Sequence, residues 1–155
     1  MKTCAKQYYN AIYPRSINEV FTTPSCTLGQ FQRAESPIKA RALVTHMLID
    51  LVKFLNVGKT MNAEQVAQTA EIILYDYGYL KVEDFRLCFN NIKKGKYGKT
   101  YDRIDGQVIL DWLNTYVDER LREADNLSYN DHLRAKSDVD NAPTFTKLYF
   151  ERKKK

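Results

Sequence analysis

The chain predicts an all-α fold: a single small domain of about five helices with an extended N-terminal arm and a C-terminal tail. Three observations carry this. Apolar residues recur at helical spacing in four separate segments. Most of those segments open on a capping residue and close near a glycine or a change to polar sequence. No segment sustains the apolar/polar alternation of a half-buried strand. The expected division is an arm over 1–27, a helical domain over 28–136, and a tail with a basic end over 137–155.

The arm is interrupted by Pro14 and Pro24 and carries Tyr8, Tyr9, Ile12, Tyr13, Ile17, Val20 and Phe21, an apolar set suited to packing across a helical body or to docking a partner. A short helix is expected over Leu28–Glu35. Ser36-Pro37 then reads as an N-cap serine followed by proline at the first helical position, where the missing N–H costs nothing. The helix it opens runs to about Asn56, with Gly58 available as a left-handed stop. Leu43, Met47, Leu51 and Phe54 form its apolar stripe, widened by Val44, Leu48 and Leu55, and Asp50 interrupts that stripe at the core edge.

Asn62-Ala63-Glu64-Gln65 has the form of a capping box. It predicts a helix over Ala63–Tyr77 with Val66, Ala70, Ile73, Leu74 and Tyr77 inward, closed by Gly78. A two-residue link, Tyr79-Leu80, leads into a helix over Val82–Lys94 whose buried face is Val82, Phe85, Phe89 and Ile92, with Gly95 at its end. So tight a connection predicts that these two helices are close neighbours. Asp105 is the expected N-cap of the last long helix, whose apolar face is Ile109, Trp112, Leu113, Tyr116, Val117 and Leu121. That helix ends between Asn126 and Lys136. Thr144–Phe150 is the one weak strand candidate.

A chain of 155 residues is long enough to bury a core without disulfides or metal. Its 44% hydrophobic and 28% charged content lies in the globular range. No apolar run reaches the roughly 18–20 residues that span a bilayer, so no membrane association is expected. The start, Met1-Lys2-Thr3-Cys4-Ala5-Lys6-Gln7, carries a lysine where a secretory signal needs its apolar stretch. Cys4, Cys26 and Cys88 are far apart and only His46 and His132 supply imidazole. That set does not supply the four clustered ligands of a structural zinc site, and the scattered, odd-numbered cysteines read as those of a cytoplasmic protein.

The net charge of +5 is distributed in blocks. Residues 1–60 carry eight Lys/Arg against three acids, and 61–92 carry two against five. Residues 93–103 hold five cations and one acid, 105–125 two cations and six acids, and 126–155 seven cations and four acids. Patches of one sign, more than the total, decide binding to polyanions.

Two Gly-Lys-Thr triplets, Gly58-Lys59-Thr60 and Gly98-Lys99-Thr100, invite a nucleotide reading. A P-loop wants a further glycine five positions earlier and a preceding strand. Lys53 and Lys93 stand at those positions and a helix precedes each triplet, which argues against ATP. Asp102, Asp105 and Asp111 are the one set that a catalytic Mg²⁺ would use, but Asp105 has a better role as a helix cap. No catalytic residue, metal or cofactor is expected.

The strongest functional signal is the segment 93–103. Lys93, Lys94, Lys96, Lys99 and Arg103 alternate with Tyr97 and Tyr101, and Gly95 and Gly98 allow close backbone approach. Cations pair with phosphates and tyrosine faces stack on bases. The competing reading is that these lysines neutralise Asp111, Asp118 or Glu119 of the acidic helix that follows, or the acids of a partner protein.

The runs Tyr79-Leu80-Lys81-Val82-Glu83-Asp84-Phe85-Arg86-Leu87-Cys88-Phe89, Lys94 to Gly106 (K-Y-G-K-x-Y-D-R-I-D-G at its heart) and Val108 to Trp112 resemble a family of short helical proteins encoded by phages and mobile elements of gut-type bacteria. The resemblance spans roughly 62–125 and implies no catalytic role. The size and helical layout are also similar to small phage replication accessories such as helicase loaders. These likenesses imply a non-enzymatic accessory that binds a protein or DNA complex, with a protein partner first and nucleic acid second through 93–103. The alternatives are a virion structural or cargo protein, using the aromatic arm and the Phe145–Phe150 knot, and a small metal-dependent enzyme.

Overall fold

A computed structural model describes residues 13–98 and 103–141, with side chains of the last helix as far as Ser137. Among the described residues there are six helices: α1 (Ile17–Thr22), α2 (Leu28–Ala34), α3 (Pro37–Leu55), α4 (Ala63–Asp76), α5 (Val82–Lys93) and α6 (Gly106–Asn141). The fold is all-α, with two isolated backbone bridges and no strand among those residues. The chain divides into two compact units, Met1–Glu119 and Arg120–Lys155.

The local signals act where the sequence places them. Ser36 accepts from the Lys39 N–H ahead of Pro37. Asn62 and Gln65 form a reciprocal box; a second box, Thr27 with Gln30, opens α2 and is not among the caps expected from the sequence. Asp105 accepts from the Val108 N–H at 3.1 Å and caps α6. Each satisfies N-terminal donors that the helix itself leaves open.

Several expectations are corrected. Residues 17–22 of the arm are helical, started by Ser16. The stop of α3 is Asn56 in the left-handed region (φ 43°, ψ 49°), not Gly58. Phe54 and Leu121, placed on buried stripes, are exposed. The last helix continues to Asn141. The α4–α5 pair does not form the close packing its short link suggests: α4 lies mainly on α3, and α5 lies against α1 and α3. The Thr144–Phe150 strand candidate falls outside the described residues.

The reason for that last rearrangement is the position of α5. Residues 82–89 are buried on every side, the mark of a helix enclosed by its neighbours. Its polar residues are therefore inside as well, and buried polar groups have to be bonded. The Ser25 hydroxyl donates to Glu83 at 2.7 Å. Asp84 accepts from the Tyr116 hydroxyl of α6 at 2.7 Å and from the Lys81 N–H at 2.9 Å. The Lys81 ammonium turns the other way and donates to the carbonyls of Val20, Phe21 and Thr23 at 2.9, 3.3 and 2.7 Å. It caps the C-terminal end of α1, where a cation suits the helix dipole. Leu28 and Gly29 N–H groups donate to Leu80 and Gly78, tying α2 to the same turn. Cys88 is fully buried in this setting, and burial above all pushes its thiol pKa up, so it stays a protonated apolar group.

Candidate functional site

The ends of α3 and α5 lie together and carry the two loops that contain the Gly-Lys-Thr triplets. The α5 terminus is a Schellman turn. Gly95 takes φ 75°, its N–H donates to Ile92 at 2.8 Å, and the Lys96 N–H donates to Asn91 at 3.0 Å. A residue with a Cβ would be strained at that φ, so Gly95 sets the direction in which the basic loop leaves the helix. The loop returns at Arg103, which forms a parallel backbone bridge with Lys59, and the Ile104 N–H donates to the Lys59 carbonyl at 2.9 Å. Buried Ile104 anchors that return. Lys59, the centre of the first triplet, is thereby held beside Arg103, three residues beyond the second.

The predicted site residues divide as follows. Lys93 pairs with Asp50 of α3 at 2.7 Å and lies 5.1 Å from the centre of the exposed Phe54 ring. Lys96 pairs with Glu119 at 2.6 Å and lies 5.5 Å from the Tyr97 ring centre. The Tyr97 hydroxyl donates to Glu119 at 3.2 Å and accepts from the Asn91 amide at 3.4 Å. Burial chiefly raises its pKa, so the phenol stays neutral. Arg103 is exposed and pairs with Asp105 at 3.1 Å. Lys94 is exposed. Lys99 and Tyr101 lie outside the described residues, as does Asp102. Glu119 is thus the internal carboxylate for Lys96, whereas Asp111 accepts from the Gln107 amide.

These pairs orient the cations without removing them. A surface ion pair contributes only about 0–1 kcal/mol, so exchanging a carboxylate for a phosphate is cheap. Lys53, Lys59, Lys93, Lys94, Lys96 and Arg103 stand against Asp50, Asp105 and Glu119, and this end of the helical body is net positive. In the sequence Lys59 stands out only within the incomplete P-loop pattern; its neighbour in the fold, Arg103, is 44 residues away along the chain.

A second feature adjoins this end. Between α3 and α5 lies a recess of about 170 Å³ lined by Tyr13, His46, Asp50, Arg86, Phe89, Asn90 and Lys93. The Arg86 guanidinium carbon sits 3.6 Å from the centre of the Tyr13 ring, a close cation–π stack. Arg86 and Asn90 carried no role in the sequence reading, since both lie off the apolar period of their helix. Among the described residues, no group of three or more His, Cys, Asp or Glu side chains gathers to hold a metal ion, and no helix is long and apolar enough to cross a membrane.

A family model for a family of unknown function, DUF6633, matches residues 60–154, well over half of the chain. The chain belongs to the DUF6633 family. The DUF6633 match contains α4, α5, the basic loop and α6, and begins immediately after Lys59. The cations of 93–103 therefore lie in the DUF6633 region, while Lys53, Lys59 and the α3 wall of the recess precede it. No curated protein and no solved structure matches the chain.

Proposed function

We propose that the protein is a non-enzymatic accessory of a phage or mobile element that docks its basic end on DNA, or on a protein complex that carries DNA, during replication in a bacterial cytoplasm. The observation that supports this is the junction of the two Gly-Lys-Thr loops through Lys59 and Arg103. It gathers cations from two distant segments at the ends of α3 and α5, beside the exposed Phe54 ring. Cations supply affinity for phosphates, and an exposed ring offers a stacking face for a splayed base. The phage setting rests on the resemblance of the 79–112 runs, and the docking chemistry rests on the charge.

The reading is tested by fluorescence anisotropy with labelled single- and double-stranded DNA across a salt series. Binding should weaken steeply with salt, each phosphate contact contributing about −0.7 to the log–log slope on single strands and about −0.9 on duplex. The Lys59→Ala/Arg103→Ala double variant should bind more weakly and show a shallower slope. No binding of either DNA at low salt sinks the reading.

A further inference from the structure

We infer that the recess between α3 and α5 is a binding site for a phosphate group, either a free phosphate or the 5′-terminal monoester of a nucleic-acid strand. Only the second source rests on the function proposed above. Two helix faces form the recess. His46 and Asp50 are one turn apart on α3, and Arg86, Asn90 and Lys93 follow at i, i+4 and i+7 on α5, so each set projects from one side of its helix. Arg86 and Phe89 are buried in its depth, while His46, Asp50 and Tyr13 are at its exposed rim. The Tyr13 ring stacked on Arg86 fixes the plane of the guanidinium.

The chemistry of the lining is one-sided. The Arg86 guanidinium carries five N–H donors and no acceptor, the Lys93 ammonium three donors, the Asn90 amide two, and a neutral His46 imidazole one. Asp50 is the one carboxylate among these lining residues, and it is in an ion pair with Lys93. Counting His46 neutral, the lining carries a net charge of +1. A ligand that complements it is compact, anionic and made of acceptors. The size agrees: a recess of about 170 Å³ has room for a compact tetrahedral anion such as phosphate. A backbone diester would have to bring the chain on both sides into the recess. A terminal or free phosphate enters alone, and arginine's planar fork suits its oxygens.

The probes are inorganic phosphate and two single-stranded oligonucleotides of identical sequence, one with a 5′-phosphate and one with a 5′-hydroxyl. The full chain is compared with Asn90→Asp, which keeps the side chain's size but puts a second carboxylate in the recess. A matching circular-dichroism melt shows that the variant folds, and His46→Ala at the exposed rim gives an independent second variant. The 5′-phosphate should raise oligonucleotide affinity about tenfold, the effect of about 1.4 kcal/mol. Asn90→Asp should erase that increment and His46→Ala should reduce it, while binding of the 5′-hydroxyl strand stays close to wild type. Inorganic phosphate that binds by calorimetry and is lost in Asn90→Asp, without discrimination between the strands, identifies free phosphate as the source and supports the site. If wild type shows neither phosphate binding nor a 5′-phosphate preference, the site is overturned, whatever the basic end does with the 5′-hydroxyl strand. If no DNA binds but phosphate does, the recess stands and the DNA-docking reading falls.

Discussion

At the scale of single residues, the most consequential contact is the Tyr116 hydroxyl on Asp84. Both side chains are fully buried, and they join α6 to the enclosed helix α5 at 2.7 Å. A hydrogen bond to a charged group contributes about 1.5–3 kcal/mol, more than a neutral one. Tyr116→Phe keeps the ring and its packing and removes only the donor. It should therefore lower the unfolding free energy by an amount within that range, read as a lower urea midpoint at an unchanged denaturant slope. With Asp84→Asn as the partner change, a double-mutant cycle should show coupling between the two positions. A loss below about 0.5 kcal/mol, typical of a neutral surface change, would mean that the contact is not holding the two helices together. Nothing in the sequence singled out this pair: both residues fall within helices with strong apolar periods, and only enclosure of α5 turns a surface-type carboxylate into a buried one.

At the scale of elements, legibility follows locality. The starts of α2, α3, α4 and α6 depend on side chains that bond backbone N–H groups within three residues, and Ser36, Asn62 and Asp105 announce the last three, while the Thr27 box of α2 is found in the structure. Helix contacts are not local in this sense. The short 77–81 link suggests that α4 and α5 pack together, yet the apolar face of α4 is covered mainly by α3. The α6 start shows how close approach adds a demand that propensity alone would not reveal. A Cβ on Gly106 would lie 2.5 Å from Thr69 Oγ1 of α4, a buried hydroxyl that donates to the Gln65 carbonyl. Helix propensity alone favours Ala over Gly by up to about 1 kcal/mol, but overpacking costs about 1–3 kcal/mol. Gly106→Ala should consequently lower the melting temperature, and adding Thr69→Ala, which removes the clashing oxygen, should recover part of the loss. An unchanged or higher melting temperature for Gly106→Ala alone would show that α4 and α6 are not this close.

At the scale of the whole molecule, the sequence made the 93–103 loop visible through its composition but not the site to which it belongs. Two of the six cations of the basic end, Lys53 and Lys59, come from the α3 terminus and the loop after it, joined to the rest by one backbone bridge across 44 residues; the recess needs facing residues of two helices whose register no local pattern encodes. The same point separates a patch from total charge, since the chain is net +5 and any cation contributes to a general attraction. Lys39 and Arg41 lie near the other end of α3, paired with Glu35 and Glu71. At 1.5 Å per residue, Lys39 and Lys53 are about 21 Å apart along the helix, more than two Debye lengths at physiological salt. Lys39→Ala/Arg41→Ala and Lys59→Ala/Arg103→Ala each lower the net charge by two. If a patch binds the DNA, only the second pair should flatten the salt dependence. Its log–log slope should fall by about 1.8 on duplex or 1.4 on single strands if both cations contact phosphate. Equal flattening by the two pairs would show that the chain responds to DNA through its overall charge, and the basic end would lose its claim to be a site.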